Sequence, residues 1–203
     1  MVGVKVFVEG GGDNNKSLKT KCRRGFSEFF KKALKGPLPR TMVCGSRDNA
    51  YGDFCTALKT ADKNDCPILL VDSEAQVNAN DSPWQHLKKR DKWDKPNGAG
   101  DGQAHLMVQC MEAWFMADKD CVKKYFGQGF NENLLPKQPK IETIPKVDLL
   151  DKLKEATRNS KNKGKYSKGE YSFELLALID PAKVRKASPH AKRLLDTLAK
   201  PNH

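Results

Sequence analysis

Hydrophobic positions come as short unbroken runs in the first half of the chain and as spaced, helix-like patterns in the second. Val4-Lys5-Val6-Phe7-Val8 and Pro67-Ile68-Leu69-Leu70-Val71 are β-branched or aliphatic and bounded by breakers. Runs of this length read as strands covered on both faces. Thr41–Cys44 and Ala104–Cys110 predict two more strands. Between them, residues 16–34 predict a helix with Phe26, Phe29, Phe30, Ala33 and Leu34 on one face, stopped by Gly36-Pro37-Leu38-Pro39. Residues 49–61 predict a second helix and 111–126 a third. Strands alternating with helices imply right-handed crossovers, so the expected fold is α/β: a mainly parallel, Rossmann-like sheet with helices on both faces.

The pattern breaks in two places. Residues 75–103 carry many Asn, Asp, Pro and Gly. They read as a loop insertion with one short helix, and a loop of this length is usually functional or disordered. Residues 127–145 are a Pro-rich connection. Beyond them, three amphipathic stretches centre on Leu149/Leu153, Phe173–Ile179 and Leu194–Leu198. The expected organisation is an α/β domain over 1–126, the connection, and a basic helical extension over 146–203.

Both strong strand signals end in acid. Glu9-Gly10-Gly11-Gly12-Asp13 follows the first, and Asp72-Ser73-Glu74 follows the third. Ligands of open parallel sheets gather at the carboxyl ends of strands. Carboxylates crowded there raise one another's pKa, and a hard, oxygen-seeking cation such as Mg²⁺ relieves that. Glu112 follows the fourth strand and joins the candidate metal ligands Glu9, Asp13, Asp72 and Glu74. Asp118 lies off Glu112's helical face and is expected at solvent or capping a local turn. Two other readings compete. Gly10 to Ser17 (GGGDNNKS) is nearly a phosphate-binding P-loop, but Asn15 stands where a Gly belongs and Asp13 would lie inside the cradle. Alternatively, the loop acids are merely solvated.

At these residues the chain resembles the Toprim domain of topoisomerases, primases and nucleases of the overcoming-lysogenization-defect type. Glu9-Gly10 matches the acid after the first strand, and Asp72-Ser73-Glu74 matches the later Asp-x-Asp, with Glu74 replacing the second Asp. Asp13 stands where the nuclease branch adds an acid. Met107 to Asp118 (MVQCMEAWFMAD) is similar to an uncharacterised bacterial Toprim-like family often encoded beside an ATPase. The resemblance implies a nuclease using Mg²⁺ or Mn²⁺, with Glu9, Asp72 and Glu74 catalytic and Glu9 transferring a proton. It also implies an ATPase partner and a role in antiviral defence. A non-catalytic module that binds nucleic acid or the ATPase is the alternative, favoured by Glu74 in place of the second Asp and by the absence of an obvious catalytic lysine near the acids.

Charge bears on the partner. The 203 residues carry a formal charge of +12, which commonly means nucleic acid, an anionic surface or an acidic partner. From Lys146 onward, fourteen Lys or Arg face seven Asp or Glu, about half of that net charge. Lys161, Lys163, Lys165 and Lys168 are candidate phosphate contacts. So are Lys88, Lys89 and Arg90, beside Trp84 and Trp93, which either stack on unpaired bases or pin the loop to the body. Arg47 either grips a phosphate or pairs with Asp48. No segment reads as a membrane span or a signal peptide. Six cysteines without metal spacing read as reduced core thiols of a cytoplasmic protein.

Overall fold

The computed structural model describes residues 3–62 and 64–200. Four parallel strands form one sheet: β1 (Gly3–Glu9), β2 (Arg40–Gly45), β3 (Asp65–Asp72) and β4 (Ala104–Met107). Their spatial order is β2-β1-β3-β4. Helix α1 (Lys16–Ala33) joins β1 to β2, and α2 (Arg47–Thr60) joins β2 to β3. The connection through α1 carries the chain to one side of β1, and the next carries it back to the other. The direction of winding therefore reverses between β1 and β3, the crevice where open α/β sheets bind ligands.

Alternation along each strand divides the core in two. Val6, Val8, Ile68 and Leu70 face α1. Phe7, Leu69 and Val71 face α2 and α3 (Pro83–Asp91). Phe26, Phe29 and Phe30 of α1 are fully buried, each ring contributing about 2 kcal/mol, and Phe29 stacks on Trp114 at 5.1 Å.

The remaining helices are α4 (Lys119–Phe126), α5 (Lys146–Thr157), α6 (Ser172–Leu178), α7 (Pro181–Ala187) and α8 (Pro189–Ala199). Residues 146–203 were expected as an extension. As far as Lys200 they share the α1-side core: Leu149, Leu153, Leu175, Leu176 and Leu194 pack in one cluster with Val6 and Phe26. The 75–103 segment is likewise bound to the body. Trp84 is buried near Phe54, and Trp93 stacks on Tyr51 at 4.4 Å. Both tryptophans therefore pin the segment, and their ring faces are taken.

Two element boundaries differ from expectation. The fourth strand stops at Met107; past it, one further bond, from the Glu74 N–H to the Gln109 carbonyl, still ties the two chain segments together beyond the end of β3. The expected helix over 111–126 is instead a 3₁₀ turn (Met111–Ala117) and then α4, broken at Asp118. Asp118 is buried, not at solvent. Its carboxylate accepts the Asp180 N–H at 2.9 Å and pairs with Lys183 at 2.6 Å, tying this break to α7.

Candidate metal centre

Glu9 ends β1, Asp72 ends β3, and Glu74 follows two residues later. β1 and β3 are direct neighbours with Val8 level with Leu70, so the first two acids stand at adjacent strand ends, one residue out of register. One carboxylate oxygen from each of Glu9, Asp72 and Glu74 lies within 4.8 Å of the others. Glu74 reaches back through a left-handed backbone (φ 63°), a conformation costing a non-glycine residue roughly 1–2 kcal/mol. The Glu74 N–H bond to the Gln109 carbonyl at 2.8 Å helps hold it there. His86, buried on α3, bonds the Ser73 carbonyl at 2.8 Å, so this histidine braces the loop between the two acids.

Each carboxylate has distinct partners. Glu9 accepts the Asp72 N–H at 2.9 Å and pairs with Arg47 at 3.3 Å. Asp72, 4% exposed, accepts the Met111 N–H at 2.8 Å. Its other oxygen lies 3.7 Å from both Lys146 Nζ and Lys168 Nζ. Burial, then the charges of Glu9 and Glu112, push the Asp72 carboxyl well above the usual carboxylate range. Burial acts the same way on Glu74, but the Lys146 hydrogen bond at 2.5 Å and its charge outweigh it, and the Glu74 pKa is lowered.

Glu112 is fully buried. One oxygen accepts from Tyr166 at 3.1 Å and Ser172 at 3.2 Å. The other has no hydrogen-bond partner among the described residues and lies 3.9 Å from Lys168 Nζ. Glu9, Asp72, Glu112, Arg47 and Lys168 line a cleft of about 310 Å³ together with Gly10–Gly12 and Phe173.

Asp13 does not join this group. Its carboxylate accepts the Ser46 N–H at 2.9 Å and the Asn49 side-chain amide at 3.0 Å. A carboxylate is favoured there by the N-terminus of α2. The arrangement requires Gly45, where a Cβ would stand 2.2 Å from the Asp13 oxygen. The Gly10 N–H is taken by the Gly45 carbonyl, and Lys16 points to solvent. The glycine loop is thus a bracket to β2 and α2 rather than a cradle closing on Lys16.

The basic candidates divide. Arg47 does stand at the carboxyl edge, but its guanidinium is engaged by Asp91 in a bidentate pair, by Glu9 and by the Asp72 carbonyl; it does not pair with Asp48. Lys88, Lys89 and Arg90 are exposed and paired with Asp94, Asp81 and Asp91. Lys161 and Lys165 are exposed. Lys163 lies over the Tyr125 ring at 4.6 Å and 3.6 Å from Glu174. Lys168 turns inward to the acids, so the four tail lysines are not one free basic strip. Burial would favour the neutral amine of Lys168, but the charges of Glu112 and Asp72 push its pKa upward.

Lys146, Tyr166 and Ser172 escaped the sequence reading of the site. Lys146 and Lys168 supply the lysines near the acids that the linear sequence did not disclose. No local pattern marks Lys146, which is 72 residues from Glu74. The six cysteines are free thiols with raised pKa values. Burial pushes Cys22 and Cys44 up to about 12, the reverse of what an activated thiolate needs. No described helix is long and apolar enough to cross a membrane.

Residues 8–199 match the model of a family described as a domain of unknown function (DUF4276). No curated protein and no solved structure matches the chain.

Proposed function

The chain belongs to the DUF4276 family, and we propose that it is a Toprim-like nuclease that cleaves nucleic-acid phosphodiesters with Mg²⁺ or Mn²⁺. The observation that carries this reading is the convergence of Glu9, Asp72 and Glu74 within 4.8 Å at the crevice where the sheet reverses its winding. The donor set is all oxygen, which suits a hard cation. Glu112, which lines the cleft, offers a further donor in its buried oxygen, which has no hydrogen-bond partner among the described residues. Such an ion, when bound, polarises a phosphate and lowers the pKa of water.

The chain's own groups have separable tasks. Asp72, Glu74 and Glu9 would hold the ion, and Glu112 would extend the site toward Lys168. Glu9, partly exposed on the cleft, is the candidate for moving a proton. Arg47 orients Glu9 through their 3.3 Å contact while Asp91 fixes its guanidinium. Lys161 and Lys165 offer sequence-independent phosphate contacts at the surface. An ATPase partner, a cytoplasmic location and a role in antiviral defence belong to the same proposal through the Toprim resemblance.

The test combines binding with turnover. Mn²⁺ in the millimolar range should raise the melting temperature of the wild type by mass action. Asp72→Asn should abolish that rise, while the metal-free variant melts higher because carboxylate repulsion and a buried charge are relieved. Single- and double-stranded DNA and RNA should be incubated with Mg²⁺ or Mn²⁺, with and without a neighbouring ATPase. Glu9→Gln should lose at least about a hundredfold in cleavage, the usual scale for a proton-transfer group. An equal thermal shift in wild type and Asp72→Asn would sink the metal assignment. The second reading, a non-catalytic binding module, draws on the pairing of Glu9 with Arg47 and Glu74 with Lys146. It predicts nucleic-acid binding without cleavage under every metal condition.

A further inference from the structure

Two ammonium groups at this site each lie between two carboxylates. Lys146 Nζ is 2.5 Å from Glu74 and 3.7 Å from Asp72. Lys168 Nζ is 3.7 Å from the same Asp72 oxygen and 3.9 Å from Glu112. Neither lysine belongs to the loops that carry the acids. Lys146 opens α5, and Lys168 sits in the turn before α6. The Glu112 oxygen facing Lys168 is buried without a hydrogen bond, a costly arrangement for a charged acceptor. Carboxylates this close repel one another unless cations intervene.

The two lysines are held with different firmness. Lys146 makes a true hydrogen bond to Glu74. The Lys168 contacts are too long for hydrogen bonds, and its side chain is 50% exposed. No hydrogen bond to Asp72 or Glu112 holds it, and it lines the cleft.

We propose that Lys146 and Lys168 are displaceable resident cations, which occupy the carboxylate pairs that a divalent ion takes and, once displaced, bind the phosphates of a polyanionic ligand in the cleft. The inference rests on the metal reading above. The same carboxylate charge cannot fully serve both a lysine and a divalent ion, so the two compete. An ammonium group released by the ion gains a phosphate, and by linkage the polyanion then favours the ion. Lys168 therefore differs from Lys161 and Lys165: it contributes to polyanion binding only when an ion holds the acids.

Mn²⁺ titration calorimetry on the full chain tests the competition. Lys168→Met keeps the stem and removes the charge, and it should bind Mn²⁺ on the order of tenfold tighter than wild type, allowing for solvent screening. Lys168→Arg should bind as wild type does, and Asp72→Asn should bind little. Lys146→Met provides the same readout at Glu74 if Lys168→Met folds poorly. Short single-stranded DNA and RNA, with Ca²⁺ or with no metal, test the release. Lys168→Met should match wild type without metal and lose most of the Ca²⁺-stimulated gain. Unchanged or weaker Mn²⁺ affinity in both lysine variants, beside a wild type that binds and an Asp72→Asn that does not, overturns this inference and leaves the metal reading standing. Equal weakening of nucleic-acid binding with and without Ca²⁺ makes Lys168 an ordinary phosphate contact and also overturns it. If no protein in the series binds Mn²⁺, the metal reading fails and this inference falls with it.

Discussion

At the scale of single residues, His105 shows how burial dictates protonation. It lies on β4, 1% exposed, with Nε2 2.9 Å from the Gly102 carbonyl and Nδ1 3.2 Å from Arg193 Nη1. The carbonyl can only accept and the guanidinium can only donate, so the ring is neutral with its proton on Nε2. Burial, then the Arg193 charge, lower its pKa to about 3. The unfolded chain binds this proton near pH 6.5 and the folded chain does not. The stability gained from a neutral His105 is therefore complete above about pH 6.5 and is lost as pH falls from there toward 3, at about 1.4 kcal/mol per pH unit. Urea unfolding at pH 7 and pH 5 should show a loss in the wild type that is roughly 2 kcal/mol smaller in His105→Gln. Parallel losses in both proteins would mean that His105 is protonated in the folded state.

At the scale of elements, the crossing of α1 and α6 positions two residues of the cleft lining. A Cβ on Gly25 would stand 2.6 Å from the Phe173 carbonyl oxygen and 3.2 Å from its Cα. Phe173 and Ser172 of α6 line the cleft, and Ser172 holds Glu112. Gly25→Ala in an isolated helix would add up to about 1 kcal/mol of stability. Here backbone must move, and overpacking of this kind costs about 1–3 kcal/mol. The variant should be less stable than wild type in urea unfolding; a gain of stability would show that α6 shifts freely.

At the scale of the whole molecule, the sheet and the later helices share one hydrophobic core. The α1-side core runs from Val6 to Leu198, and the family match likewise spans residues 8–199. A chain ending at Phe126 would expose Trp114, Phe126 and the Phe26–Phe30 face, along with a Glu112 stripped of Tyr166 and Ser172. Such a truncation should lack near-ultraviolet circular dichroism and a sharp thermal transition. A cooperative, protease-resistant 1–126 fragment would establish the α/β part as a separate domain.

The sequence alone determined the four strands and their parallel sheet, and it offered five candidate acids, of which Glu9, Asp72 and Glu74 meet at the sheet's edge. The information is local: an unbroken apolar run specifies a buried strand, and the residue after it must emerge at the strand's carboxyl end, as Glu9 and Asp72 do. The tertiary structure decided what surrounds those acids. Asp13 turned away because the N-terminus of α2 offered its carboxylate an N–H and a favourable dipole. Lys146 and Lys168 turned inward because helices that looked like an appendage were needed to cover the apolar face of α1 and Trp114. Contacts between residues 72 apart, such as Glu74 and Lys146, follow from which surfaces bury one another, and no periodicity along the chain encodes them.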